Sequence, residues 1–103
     1  MKKEEVKNMN SQNDFVIENG VLIKYKGSTS NVFILDNVKI IGDCAFMGCE
    51  YLASVVLPEG VISIGNYAFL GCTGLTRITI PNSVASIVEY AFYTCSGRTS
   101  VTI

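Results

Sequence analysis

The residues of this 103-residue chain that could do chemistry are its cysteines, of which there are four. A catalytic thiol needs a neighbouring base that converts it to thiolate, and the chain contains no histidine. Without histidine the chain also lacks Ser-His and Cys-His catalytic pairs and the commonest metal ligand. Only Cys44 and Cys49 lie close together, whereas a structural zinc site needs two such pairs. The cysteines therefore predict no catalytic centre, no cofactor and no metal site.

Three of these cysteines, Cys49, Cys72 and Cys95, recur at a step of 23 residues. Equivalent side chains on stacked strands lie ~4.8 Å apart and parallel, whereas the Cβ atoms of a disulfide lie ~3.8 Å apart. We therefore interpret the three as small apolar residues that fill one column of the core. Cys44 differs because tyrosine occupies the equivalent positions of the later repeats. We expect Cys44 to be partly exposed and to be the thiol that reacts first with a labelling reagent.

Composition and charge exclude several other classes of function. The chain has 8 basic and 9 acidic residues, and only five basic residues follow the first 13. No basic stripe results, so a nucleic-acid or anionic-membrane partner is not expected. No apolar run is long enough to cross a membrane, and the glycines are scattered rather than grouped in a phosphate-binding loop. The acidic residues fall at turns, where we interpret them as solvated surface.

A repeat of 23 residues organises most of the chain. The pair Ala-Phe recurs at this step, with an isoleucine four residues before each alanine and a cysteine three residues after each phenylalanine. A period in the twenties suits one strand and one short return element per coil of a solenoid. The recurring pairs are Ala45-Phe46, Ala68-Phe69 and Ala91-Phe92.

Each repeat is expected to hold a strand followed by a compact return. Residues 75–80 alternate apolar and polar, which predicts a strand with one buried face, and Pro81 ends it. Residues 66–72 have bunched apolar positions and predict a single helical or 3₁₀ turn, released at Gly71. Stacked coils would then form a parallel sheet.

A different segment precedes the repeats. Two apolar runs flank Asn19-Gly20, which is the strongest short signal for a β-hairpin. Because the terminal coil of a solenoid needs covering, we interpret the hairpin as an N-terminal cap. The expected organisation has a disordered leader and one repeat domain over residues 14–103. Its parts are the leader 1–13, the cap 14–30, and repeats 31–53, 54–76 and 77–103.

With these columns in place, residues 61–81 resemble the BspA-type class of leucine-rich repeats, and residues 18–25 resemble the hairpin that often precedes such arrays. The resemblance runs from about residue 14 to the end. It implies a right-handed α/β solenoid with a parallel sheet and short helical or 3₁₀ turns, capped by the N-terminal hairpin. Such proteins occur in gut and oral bacteria. Many are secreted or on the cell surface, and several are associated with adhesion to host proteins.

The chain departs from the regular pattern in three places. Leu35 stands where the later repeats have proline, Val88 replaces a repeated glycine, and Arg98 replaces a repeated leucine. The last two departures fall in the final repeat. That repeat is either a C-terminal cap or the edge of an array that continues beyond Ile103.

Without catalytic chemistry, function is expected on the outward face of the strands. Phe33 beside Val56 is the local indication, because neighbouring apolar side chains that point outward suggest a contact surface. We therefore expect a non-catalytic protein-binding module whose ligand could be a host protein. The alternative is a self-assembling unit whose open C-terminal coil stacks on another copy, giving a homo-oligomer through the solenoid ends. The candidate partner-binding residues are Phe33, Ser54, Val56, Arg77, Thr79, Ser100 and Thr102.

Overall fold

Two sheets run side by side along the protein. The structure, a computed structural model, describes residues 14–87 and 90–92 and the backbone of strand 100–102. Sheet A has the strand order β1-β2-β4-β6-β8, and sheet B has the order β3-β5-β7-β9. The leader, Val88, Cys95 and Arg98 lie outside the described residues. The strands are β1 Phe15–Glu18, β2 Val21–Tyr25, β3 Asn31–Phe33, β4 Ile40–Ile41, β5 Ser54–Val56, β6 Ser63–Ile64, β7 Arg77–Thr79, β8 Ser86–Ile87 and β9 Ser100–Thr102.

Sheet B contains the strands that the alternating pattern predicts. Its strands pair parallel, and the register places Val32 beside Val55 and Val55 beside Ile78. These three side chains are buried, while the residues that flank each of them on its own strand lie on the other face of the sheet. Each strand is only three residues long, so β7 ends at Thr79, before Pro81. The 23-residue step and the parallel pairing are confirmed, while the limits assigned to each repeat stay a prediction.

Sheet A adds a second strand to each repeat, which the sequence pattern did not predict. Ile41 pairs with Ile64 in the parallel register, and Ile64 pairs with Ile87. Ile41 and Ile64 are fully buried. These strands have two residues each, which is too short for an alternating pattern to be recognised.

The segment around Asn19-Gly20 forms an antiparallel pair, β1 with β2. Asn19 and Gly20 have φ angles of 52° and 81°, as a type I′ turn requires. β2 also pairs parallel with β4, so the hairpin is the first layer of sheet A. The carbonyl of Gly20 accepts the N–H groups of Lys39 and Ile40 at 2.7 and 3.1 Å, which ties the turn to the first repeat. Its role as a cap stays a prediction.

The return segments are hydrogen-bonded turns, so the expected helical or 3₁₀ turns are not confirmed, and the described residues contain no α-helix to support an α/β class. Along these segments, backbone N–H groups donate alternately to a carbonyl of the next coil and to a carbonyl of their own turn. Phe46 donates to Ala68 in the next coil at 2.7 Å, whereas Met47 donates within its own turn to Cys44 at 3.2 Å. A helix needs consecutive donors along one segment, but every second donor here points to a neighbouring coil. Gly48, with a φ of 77°, also interrupts helical winding.

A ladder of aromatic rings runs through the hydrophobic core. Successive ring centroids lie 5.0, 5.2, 5.0 and 5.1 Å apart. The angle between ring planes falls from 47° at the hairpin to 3° at the far end. Alanines before the phenylalanines leave room for the stacked coils. The rings belong to Phe15, Tyr25, Phe46, Phe69 and Phe92.

Candidate functional site

The outward face of sheet B, hereafter the strand face, brings most of the candidate residues together. The parallel register sets Ser54 beside Arg77 in one column and Val56 beside Thr79 in the next. Asn31 and Phe33 begin the two columns. Ser100 and Thr102 continue them in the backbone pairing, but their side chains lie outside the described residues. The strand face is therefore formed by Asn31, Phe33, Ser54, Val56, Arg77 and Thr79.

The two columns differ in chemistry. Phe33 keeps 52% of its surface exposed beside the half-buried Val56, so one end of the face is apolar. In the other column Ser54 donates its hydroxyl to the Asn31 side chain at 2.7 Å. That bond supports an intra-sheet role for Ser54, whereas Arg77 is exposed. The face offers an apolar anchor and a cation, which are groups that bind other proteins.

The cysteines lie where the repeat places them, within the described residues. Cys49 and Cys72 are buried and unbridged, and Cys72 donates its thiol to the Phe46 carbonyl oxygen at 3.1 Å. A buried thiol that packs and donates to the preceding coil has a structural role. Cys44 is partly exposed and has a left-handed φ of 61°.

This difference in burial predicts an order of thiol labelling. Under native conditions we expect iodoacetamide to modify Cys44 well before Cys49 and Cys72, because Cys44 is partly exposed whereas the other two are buried. Peptide mass spectrometry over a time course measures each site separately. Labelling in urea is the control and should make the three equivalent. Native modification of Cys72 as fast as that of Cys44 would contradict the packing.

Two tyrosines hold the loop between the hairpin and β3, a feature that the sequence pattern did not reveal. Tyr51 donates its hydroxyl to the Gly27 carbonyl oxygen, and the Tyr25 hydroxyl bonds with that of Thr29 at 2.9 Å. Burial around the Tyr51 hydroxyl, followed by its hydrogen bond to Cys49, raises the pKa of Tyr51 above its ordinary value. The sequence does not indicate this role of Tyr51, because the equivalent residue of the next repeat is Gly74 rather than another tyrosine.

The described part of the chain holds neither a cluster of metal ligands nor a membrane-spanning helix. Nowhere between residues 14 and 87, or at 90–92, do three potential metal-ligating side chains converge. Within the same residues no helix is long and apolar enough to span a membrane.

Comparison with known proteins places the chain in a family. The family model described as "BspA type Leucine rich repeat region (6 copies)" matches residues 16–103. The solved leucine-rich-repeat protein TpLRR of T. pallidum is 28% identical with a TM-score of 0.85, over 91% of this chain and 49% of that one. A leucine-rich cell surface protein of Faecalibacterium prausnitzii A2-165 is 30% identical with a TM-score of 0.57, over 81% of this chain and 28% of that one. The chain thus spans about half the length of TpLRR and less than a third of the F. prausnitzii protein. The search of curated proteins found no match. By the extent of the family match, the chain belongs to the BspA-type leucine-rich-repeat family.

Proposed function

We propose that this chain is a non-catalytic protein-binding module that recognises its ligand through the strand face. The observation that carries the proposal is Phe33, a large apolar side chain 52% exposed on the edge strand β3 of a regular parallel sheet. An exposed aromatic side chain on a rigid strand can anchor a partner at little conformational cost. Arg77, two strands along, adds a cation that can pair with a carboxylate.

The family supports a recognition role and a surface location. The F. prausnitzii structure is described as that of a cell surface protein. For this chain we propose a secreted or surface-exposed location and a protein ligand, with host proteins as the first candidates to test. The right-handed winding implied by the family and the capping role of the hairpin belong to the same proposal.

The test compares two double variants that change charge equally. Phe33→Glu with Arg77→Glu alters the strand face. Ile62→Glu with Lys39→Glu alters neighbouring residues beside sheet A, where Ile62 is 51% exposed and donates its N–H to Lys39. Affinity for a ligand isolated with the wild-type chain from host extracellular fluid is measured by biolayer interferometry. Circular dichroism confirms that both variants fold.

We expect the strand-face variant to lose more than tenfold in affinity, because anchor residues of an interface carry about 2 kcal/mol or more. The control variant should stay close to the wild type. Full binding by a folded strand-face variant would overturn the proposal. So would an equal loss in both variants, because it would indicate a non-specific effect of charge.

Self-assembly is the second candidate, and one observation favours it. Ile87 is 43% exposed, although its partners in the register, Ile41 and Ile64, are fully buried. A further coil from a second copy would cover it, by the same parallel pairing. A mass by light scattering that stays monomeric as concentration rises would count against stacking.

A further inference from the structure

A second exposed surface, distinct from the strand face, lies on the turns that follow sheet A. We define this turn face by residues 43–51 and 66–74 together with Tyr90. Tyr67 and Tyr90 stack there with their ring centroids 5.6 Å apart and their planes 13° apart. The two residues are 38% and 42% exposed. The rings therefore form an external ladder, separate from the aromatic ladder of the core.

Packing of the coils does not explain these tyrosines. The equivalent residue of the first repeat is Cys44, which adopts the same left-handed backbone with a φ of 61°, against 56° at Tyr67. Glycine and asparagine suit this conformation better than tyrosine does. Tyr67 thus occupies a backbone position that disfavours it and exposes its ring to solvent. A contact with another molecule would account for both the disfavoured backbone and the exposed ring of Tyr67.

The external ladder stops one coil early. The equivalent position of the first repeat carries no ring, because its residue is Cys44. The carboxylate of Asp43 lies at this step, where its Oδ1 accepts the backbone N–H of Asn66 at 2.8 Å. Asn66 immediately precedes Tyr67, so a fixed carboxylate and an aromatic ring belong to the same step of the solenoid.

The charges of the turn face have one sign. Residues 43–51 and 66–74 include Asp43 and Glu50 but no lysine or arginine. Lys24 in β2 lies opposite residues 42–44, because the pairing of Leu22 with Ile41 and the bond from Tyr25 to Ala45 bracket it there. The surface therefore complements a cation, with Lys24 at its rim.

We propose that the turn face binds an arginine side chain from a basic segment of a partner protein. The guanidinium lies flat against Tyr67, in the place where Cys44 leaves the ladder without a ring, and pairs with the free oxygen of Asp43. A planar guanidinium stacks on an aromatic face and bonds a carboxylate at its edge, which an ammonium group cannot do in the same geometry. This contact is independent of the strand face.

Peptide titration followed by ¹H–¹⁵N NMR tests the proposal. The probe is a blocked peptide of alternating arginine and glycine. The matched control carries citrulline, which has nearly the same shape without charge, in place of arginine. Maltohexaose, a neutral oligosaccharide, tests whether the rings instead stack on sugars. We expect only the arginine peptide to shift the amide signals of Asp43, Asn66 and Tyr67, with an effect that weakens as salt is added.

Four single variants locate the contact. Tyr67→Asn, which suits the left-handed backbone, should weaken binding roughly threefold to tenfold. Asp43→Asn keeps an oxygen for the Asn66 N–H and should also weaken it, whereas Lys24→Glu should tighten it. Phe33→Asn removes an exposed ring from the strand face and should change nothing. Equal binding of the citrulline peptide, shifts confined to other residues, or binding of maltohexaose alone would overturn the proposal.

Discussion

Replacing Phe69 by alanine should lower the free energy of unfolding by about 3–5 kcal/mol, because the ring fills the centre of the core ladder. Phe69 is fully buried and stacks with Phe46 at 5.0 Å and with Phe92 at 5.1 Å. Alanine would leave a cavity that the neighbouring coils cannot close, since backbone hydrogen bonds fix their spacing. A domain of this size is stable by only about 5–15 kcal/mol, so much of the stability would be lost.

Urea unfolding followed by circular dichroism measures the effect. Phe33→Ala is the matched control, because it deletes the same ring from an exposed position. We expect the control to change stability by about 0.5 kcal/mol or less. A similar loss in both variants would show that ring burial does not distinguish these positions.

Gly42→Ala should separate the hairpin from the first repeat. A Cβ atom at residue 42 would lie 2.7 Å from the carbonyl oxygen of Leu22, a backbone atom that also accepts the Gly42 N–H. One of the two layers must therefore move, and overpacking of this kind costs about 1–3 kcal/mol. Hydrogen exchange should accelerate at Gly42 and at Tyr25, which donate two of the bonds between these layers. The N–H of Gly65 in the second repeat donates to Ile41 in the first repeat and should stay protected from exchange.

Gly48→Ala is the control for this substitution. Gly48 has a φ of 77°, but among the described residues no heavy atom outside residues 47–49 lies within 4 Å of the position of an added Cβ. Alanine should therefore cost about 1 kcal/mol from backbone strain alone, without faster exchange in the hairpin. Exchange at Tyr25 that rises equally in both variants would contradict a local contact between hairpin and repeat.

The sequence predicts the period, sheet B and its register, because β-branched and polar residues alternate in phase with the repeat. It does not predict sheet A, whose strands of two residues have no alternation to detect. Bunched apolar residues are typical of one helical turn, so the pattern predicts helical turns that the structure does not confirm. The pattern cannot show that Phe46 donates to the next coil rather than along its own segment.

The candidate surfaces differ in the same way. The columns that begin at Asn31 and Phe33 follow from counting along the repeat. Tyr25 lies in the core ladder beside Phe46. Its position there does not follow from counting along the repeat, because the hairpin is out of phase with the repeats. The bond between Asp43 and Asn66 joins different repeats through a side chain and a backbone N–H, so no residue pattern reports it.

The alternation of backbone donors in the turns has a consequence for how such a protein can change length. Phe46 donates to the residue just before its counterpart in the next coil, and Phe69 does the same. Side-chain identity does not enter these bonds. Insertion or deletion of one whole repeat therefore leaves each donor with an equivalent acceptor, whereas a shift of one residue reverses the alternation and removes acceptors along the turn. The repeat is thus the natural unit of genetic gain and loss in this architecture.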